Sequence, residues 1–463
     1  MLHGETIYKD FIEITFPGTE LWYEFLLSVA GPRIELINLT ILLLGFSLTY
    51  ICLKISEQLF DNVYKYLPPS LFLFFGFYWF GFDASHRLFS LLWAMVALYV
   101  LLKNQSRLTI FIVGALCGFS SFFTQTRGIA AVLAFALFLV WQAAQNKNWK
   151  NCFIQINILS LAFIATVFIL ISYFWFSGGT EDFFYNTVFF ISRYRAHPVN
   201  NYSGFFNDIK TISDESLVVV FLKLFYMITV PLSFLFFLIW YKLKKNSLNS
   251  QTRTKLMMIA LFGASLLLTN TSPNLLRIYQ VSMPALFLIV WMLADVKILN
   301  KFIAKIVLAI LIIFALFLIT KVQRDPRLIS AELPTGKVVF TPGMNPERYL
   351  WLAQNTKPND YFFESYTRTY FPLLLQNSTK LPLLTDTGYT SPEQVISVVQ
   401  DLKEKPPKYI FWDGNWDKPP SLRNQGDNLT PIYDFLQANY CLERNFTAYG
   451  GSDFQIWERC RNE

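Results

Sequence analysis

The sequence predicts a polytopic α-helical membrane protein of about ten spans with a C-terminal α/β domain. Three observations predict it. The 463 residues are 54% hydrophobic and only 15% charged, outside the range of soluble chains. Their apolar runs recur at the length a spanning helix needs, about 20 residues. The composition then changes near residue 321, after which acids, bases and prolines are interspersed as in a soluble domain.

Taken in order, the chain opens on a polar stretch, residues 1–35. It carries Glu5, Asp10, Glu13, Glu20 and Glu24 against Lys9 as the base before Arg33. Within it, Leu21–Leu27 has the pattern of an amphipathic helix lying in the membrane interface. Ten spans follow in a transmembrane domain of residues 36–320. They are 36–54, 66–81, 87–102, 108–124, 128–142, 153–176, 216–241, 256–270, 278–294 and 302–320. The long link 177–215 is polar and aromatic.

Residues 321–463 form the α/β domain. Asn345-Pro346, Ser391-Pro392 and Thr430-Pro431 are helix starts, a capping residue followed by proline at the first helical position. Val338–Phe340, Tyr361–Phe363 and Tyr409–Trp412 alternate with them as buried strands, which suggests a parallel sheet. Residues 438–460 read as a closing hairpin with a two-residue turn at Gly450-Gly451. In that register, residues whose numbers sum to 901 face each other. This pairs Cys441 with Cys460 and predicts a disulfide in an oxidising compartment. Cys52, Cys117 and Cys152 read as packing residues.

Orientation follows from where the bases fall. Alternate links hold Lys54, Lys65, Lys103, Arg107, Lys147, Lys150, Lys242, Lys244, Lys245, Arg253, Lys255, Lys297 and Lys301, and these are assigned to the cytoplasm. Both termini, the 177–215 link and the α/β domain are then extracytoplasmic. The outer links carry arginine instead: Arg87, Arg127, Arg193, Arg195 and Arg277. A guanidinium grips phosphate with two parallel hydrogen bonds where an ammonium offers a point charge. Snorkelling of single arginines to the interface is the alternative. The net charge of +7 says little about nucleic acid, because membrane topology accounts for the bases. No HExxH, CxxC or P-loop pattern is present, which argues against a zinc hydrolase or an ATPase.

Acids gather beside these arginines. The first stretch offers Glu5, Asp10 and Glu13. The link between the second and third spans offers Asp83, His86 and Arg87. The long link adds Arg193-Tyr194-Arg195 and His197, and the link before the ninth span adds Arg277, Tyr279 and Gln280. Ionisable groups at membrane depth are costly and usually functional. For His86 alone, a hydrogen-bonded interface histidine is the simpler reading.

Several segments carry a family resemblance: "GETIYKDFIEITFPGTELW", "FDASHR", "GALCGFSSFFTQTRGIAAVLA", "TEDFFYNTVFFISRY" and "SPNLLRIYQVSMPALFL". Their order, followed by the α/β tail, resembles the polytopic GT-C glycosyltransferases, the group with the protein mannosyltransferases and the lipid A aminoarabinose transferases. The resemblance implies a multi-pass protein of the plasma (inner) membrane. It implies a sugar donor on a polyprenyl phosphate and a glycan, lipid or protein acceptor. It also implies an acid of the first outer loop as general base, with arginines on the donor phosphate. Asp10 and Asp83 match acids of that pattern and are the catalytic candidates. A divalent metal requirement stays open. In the family, a first helix and an Asp-Glu pair precede the equivalent of Gly4. The expectation is therefore that an upstream helix is missing from this sequence, so a truncated, inactive copy is one alternative. A polyprenyl-linked glycan polymerase or ligase is another. A transporter fits less well, since no internal repeat is visible.

Overall fold

The computed structural model describes residues 4–78, 82–83, 85–189, 217–244, 248–270, 274–323, 325, 328–340, 345–364, 370–381, 390–413, 429–447 and 453–460. It is a polytopic helical bundle followed by an α/β unit. Helix α1 (Gly18–Ala30) leads through Gly31 and Pro32 into α2 (Ile34–Ser56). Gly31 has φ 82°, a left-handed conformation that glycine adopts without strain. Then come α3 (Leu67–Tyr78), α4 (His86–Lys103), α5 (Arg107–Phe123), α6 (Gln125–Asn146), α7 (Trp149–Ser177) and the short α8 (Thr180–Phe184). After the long link come α9 (Leu217–Lys244), α10 (Ser250–Leu268), α11 (Leu275–Tyr279), α12 (Met283–Asp295) and α13 (Lys301–Gln323).

Among the described residues, six helices are long and apolar enough to cross a membrane: α2, α4, α6, α7, Lys223–Lys244 of α9, and Lys301–Lys321 of α13. Arg107–Phe123 and Met283–Asp295 are shorter apolar helices. The predicted span 278–294 is interrupted: α11 ends at Tyr279 and α12 starts at Met283, with Pro284 in its first turn. Proline cannot donate to the preceding turn, so the apolar run breaks there although its hydropathy is continuous.

Helices α4 to α7 pack as neighbours, with α5 between α4 and α7. Leu91, Ala94, Met95, Val113, Cys117, Ala131 and Phe135 fill one continuous core. By contrast, Phe168, Ile169, Trp175 and Phe176 of α7 and most of α13 are exposed apolar surface, as lipid-facing helices are.

The α/β unit departs from the predicted sheet in two ways. Strand β2 (Gly336–Phe340) pairs antiparallel with β1 (Ile329–Leu333) in a hairpin of its own. The five-stranded sheet is mixed, in the order β4 (Gln376–Asn377), β3 (Tyr361–Glu364), β5 (Tyr409–Asp413), β7 (Asp453–Arg459), β6 (Tyr440–Thr447). Strands β3, β4 and β5 are parallel, while the β6–β7 hairpin joins antiparallel to β5. Its register centres on Gly450, pairing Asn445 with Gln455. A bulge between Leu442 and Arg444 then sets Cys441 opposite Glu458. The register is thus displaced from the predicted one, and the predicted Gly-Gly turn lies outside the described residues. A disulfide nevertheless joins Cys441 to Cys460, two residues further on, with Cα atoms 5.2 Å apart. Helices α14 (Pro346–Asn355), α16 (Pro392–Glu404) and α17 (Thr430–Asn439) cover the sheet, with the short α15 (Tyr370–Leu373) between α14 and α16 in sequence. Asn345 and Ser391 cap the first two through their side chains. Leu429, not Thr430, stands at the N-cap of α17, and no side chain caps it.

The two ends of the chain meet. The Ile12 amide donates to the Lys380 carbonyl at 2.8 Å and the Ile34 amide to the Thr335 carbonyl at 2.9 Å. The β1–β2 turn thereby sits on the start of α2. Gly336 has φ 116°, and a Cβ there would fall 2.6 Å from Glu35 Oε1.

Candidate active site at one end of the bundle

The starts of α4, α6 and α11 and the end of α5 converge at the end of the bundle covered by the first stretch and the α/β unit. Their arginines converge with them. Arg127, in the first turn of α6, is 5% exposed. One of its terminal nitrogens donates to the Arg87 carbonyl at the start of α4. The other reaches Gln280 Oε1 at 3.4 Å, in the break between α11 and α12. Arg277 is positioned from two sides. Its amide donates to the Asn274 side chain, which caps α11, at 2.9 Å. Its carbonyl accepts from Asn270 Nδ2 at 3.0 Å. Arg87, Arg277 and Asp83 all act electrostatically on Arg127, and Arg87, Arg127 and Arg277 all act on His86. Three guanidinium groups from three separate links therefore share one locale with one carboxylate. Asp83 is half-buried, and its Oδ1 accepts from the Ser85 amide at 3.1 Å and the Ser85 hydroxyl at 2.6 Å.

The first stretch brings more acid to this locale. It is pinned by aromatic contacts: Tyr8 packs edge-on against Phe174 of α7 and Phe183 of α8, which stack on each other 5.1 Å apart. The Tyr8 hydroxyl donates to the Thr15 carbonyl at 2.6 Å and closes the loop. Glu13 Oε1 accepts from the amides of Ile14 and Thr15 and from the Thr15 hydroxyl. Gln125 Nε2 donates to the Ile14 carbonyl at 3.2 Å, tying the loop to α6. Helix α1 then lies against α5 at Gly18, where a Cβ would meet the Phe122 carbonyl at 2.7 Å.

This close approach buries Glu20. Its Oε2, with Thr19 Oγ1, is a buried oxygen without a hydrogen-bond partner among the described residues. Burial, and then the neighbouring Glu13 carboxylate, raises the Glu20 carboxyl from 4.5 to about 8. Tyr23, one turn on, lies in the fields of both Asp83 and Glu20. Burial first, and then those two carboxylates, push its hydroxyl up. Glu13 thus acts on Glu20, and Glu20 and Asp83 both act on Tyr23, so the four groups lie within electrostatic reach of one another.

The other sequence candidates fall as follows. Asp10 is exposed, and its Oδ2 accepts from the Thr6 amide at 2.7 Å, which gives it a turn-capping role. Glu5 is exposed. Tyr279 is turned into the core, stacked on Phe72 with its hydroxyl on the Phe72 carbonyl at 3.1 Å. Gln280 is fully buried, and its Nε2 has no partner among the described residues. Arg193, Tyr194, Arg195 and His197 lie outside the described residues. Glu20 is the residue the sequence reading passed over, and its signal was the adjoining Gly18, which permits the close helix contact. No group of three or more metal-ligating side chains occurs among the described residues.

No protein-family description and no curated protein matches the chain. Solved structures do. An arabinofuranosyltransferase, AftD, from Mycobacteria is similar over 96% of this chain and 35% of its own length, at 12% identity and a TM-score of 0.45. The oligosaccharyltransferase AglB of Archaeoglobus fulgidus, in complex with an inhibitory peptide and a dolichol-phosphate, is similar over 96% of this chain and 66% of its own, at 11% identity and 0.47. The apo form of the Archaeoglobus fulgidus oligosaccharyltransferase gives 87% and 62%, at 10% identity and 0.44. The chain thus spans about a third of the first protein and somewhat under two thirds of the others.

Proposed function

We propose that the chain is a GT-C-type membrane glycosyltransferase that moves a sugar from a polyprenyl-phosphate donor to a glycan, lipid or protein acceptor. The observation that carries this reading is the juxtaposition of Asp83 and the Glu13–Glu20 pair with Arg87, Arg127 and Arg277 at one end of the bundle. The sequence segments that resemble the family supply the same residues.

In this reading the acceptor hydroxyl attacks the anomeric carbon. A new C–O bond forms as the bond to the phosphate oxygen breaks, and the polyprenyl phosphate leaves with the electron pair. The hydroxyl proton passes to a carboxylate, Glu20 or Asp83, because an alcohol must lose it as it attacks. Glu20 is suited to this by its unpartnered oxygen and Asp83 by its position among the arginines. Arg87 and Arg277 neutralise the departing phosphate, with Arg193 and Arg195 as further candidates. Arg127, its donors engaged by Arg87 and Gln280, holds the two arginine-bearing segments in register. The acid-bearing end faces outward and the lysine-rich end the cytoplasm, with residues 1–35, 36–320 and 321–463 as loop, transmembrane and outer domains.

The test is release of polyprenyl phosphate from a radiolabelled undecaprenyl-phosphate sugar by the purified chain in lipid nanodiscs, with membrane extract as acceptor source. Release that disappears in Glu20→Gln or Asp83→Asn supports the reading. Flux of a soluble solute in proteoliposomes without donor turnover would overturn it in favour of a transporter.

A further inference from the structure

At the opposite end of the bundle lies a cavity that the glycosyl-transfer reading does not use. It opens between the start of α5, the end of α6 and the start of α7, and has a volume of about 250 Å³. Helix α6 runs between the two ends, so the cavity stands roughly 30 Å from Arg127 at 1.5 Å per residue. Its polar lining consists of carboxamides: Gln105, Gln142, Asn146, Asn148, Asn151 and Gln155. Leu139, Ala143 and Cys152 complete the wall.

Some of these amides hold the walls together. Gln142 Nε2 donates to Gln105 Oε1 at 2.9 Å, Gln155 Nε2 to the Gln105 carbonyl at 3.5 Å, and the Asn148 side chain caps α7 by accepting from the Asn151 amide at 3.3 Å. The carboxamides of Asn146 and Asn151 make no hydrogen bond among the described residues. Each offers both donors and an acceptor without charge, which suits hydroxyl groups rather than ions.

Charge surrounds the opening instead. Lys103, Arg107, Lys147 and Lys150 are exposed on the links that form it. From Ala84 to Thr180 the sequence contains no Asp or Glu, so these bases have no acidic counterpart on the helices that carry them. Beside the opening, Leu108, Phe111, Trp149 and Phe153 are 51–71% exposed. Tryptophan in this position marks the level of the lipid headgroups.

We propose that this cavity is a lipid headgroup site for an anionic phospholipid carrying a neutral polyol. The phosphodiester lies against the basic rim, the hydroxyls among the carboxamides, and the acyl chains along Phe111 and Phe153. Basic pockets between membrane helices bind phosphate headgroups in this way. The cavity is smaller than those of drug-sized ligands, which fits one glycerol or one hexose. The proposal does not depend on the glycosyl-transfer reading.

Native mass spectrometry of the purified full chain tests it, using phosphatidylglycerol, phosphatidic acid and phosphatidylcholine as probes. Phosphatidylglycerol should be retained about tenfold better than phosphatidic acid, which has the charge but lacks the polyol, and better still than phosphatidylcholine. Gln142→Leu with Gln155→Leu should abolish that preference, and Gln142→Asn should keep it. Asn146→Ala with Asn151→Ala leaves the bonds of Gln105, Gln142, Asn148 and Gln155 in place and should also abolish the preference, which guards against loss through misfolding. Cys152 is an independent reporter, since it lines the cavity and is 5% exposed, whereas Cys52 and Cys117 are fully buried and Cys441 is bonded to Cys460. Its modification by a small methanethiosulfonate should slow when phosphatidylglycerol is added. Equal retention of phosphatidylglycerol and phosphatidic acid, or an unchanged preference in the Asn146/Asn151 variant, would overturn the proposal. Equal protection of Cys152 by soluble glycerol phosphate would overturn the lipid as occupant.

Discussion

Replacing Glu20 by glutamine should change how stability depends on pH, by an amount the structure sets. The carboxyl has an ordinary value of 4.5 and stands at about 8 in the folded chain, chiefly because α1 buries it against α5. Between those values the folded chain holds a proton that the unfolded chain has released. Stability therefore falls as pH rises through this window and levels off above about 8. The slope is about 1.4 kcal/mol per pH unit, and the full window corresponds to roughly 5 kcal/mol. Glutamine keeps the shape of the neutral acid and cannot ionise. The variant should match the parent near pH 5 and exceed it increasingly towards pH 8. Thermal unfolding of the two proteins in one detergent, followed by tryptophan fluorescence from pH 5 to 9, measures the divergence. Parallel curves would show that Glu20 titrates normally and would remove it as a buried acid of the site. If Glu20 also takes the acceptor proton, donor turnover should climb as pH approaches 8, because only the ionised form accepts one.

Four further outcomes are expected. Arg87→Lys and Arg277→Lys should each reduce donor use by at least about tenfold with folding intact, since the fork is lost and the charge kept. Arg127→Lys should instead lower thermal stability by about 1–3 kcal/mol, because the bridge from the Arg87 carbonyl to Gln280 is broken inside the core. Cysteines placed at the exposed Lys357 and Gln251 should differ in labelling by an impermeant reagent added from outside, with Lys357→Cys modified and Gln251→Cys spared. Replacing Cys441 and Cys460 by serine should cost the outer domain about 3 kcal/mol, as the pair encloses a loop of 19 residues. Chemical denaturation of the parent and the double variant measures it.

The helices were legible in the sequence because lipid-facing runs need apolar residues along their whole length. The break at Gln280 was not, since LLRIYQVSMPALFL reads as one apolar run and only the placing of Pro284 marks the new start. Cys441 and Cys460 were legible as a pair through the hairpin expected around Gly450-Gly451 in an oxidising compartment. The register itself was not, because the bulge near Glu443 depends on how β7 meets β5. At the site, Arg87, Arg127 and Arg277 could be grouped from topology alone, since consecutive outer links must lie at one end of a bundle. The different task of Arg127 rests on burial among α4, α6 and the α11–α12 break. Glu20 read as one solvent-facing acid among five. Helix α1 meets Phe122 and Phe123, a hundred residues away, at Gly18, and no local pattern reports that contact.

The bonds from Ile12 to Lys380 and from Ile34 to Thr335 also set an order of biosynthesis. Ile12 and Ile34 leave the ribosome well before Lys380 and Thr335, which clasp them. Two partners of residues 12–34 thus arrive some 300 or more residues later, whereas Phe122, Gln125 and Phe183 arrive with the intervening helices. In the proposed enzyme, the last backbone ties at this end form only once the α/β unit has made its own sheet. Nascent chains arrested before residue 335 would hold Arg87, Arg127, Arg277 and Asp83 without those two ties.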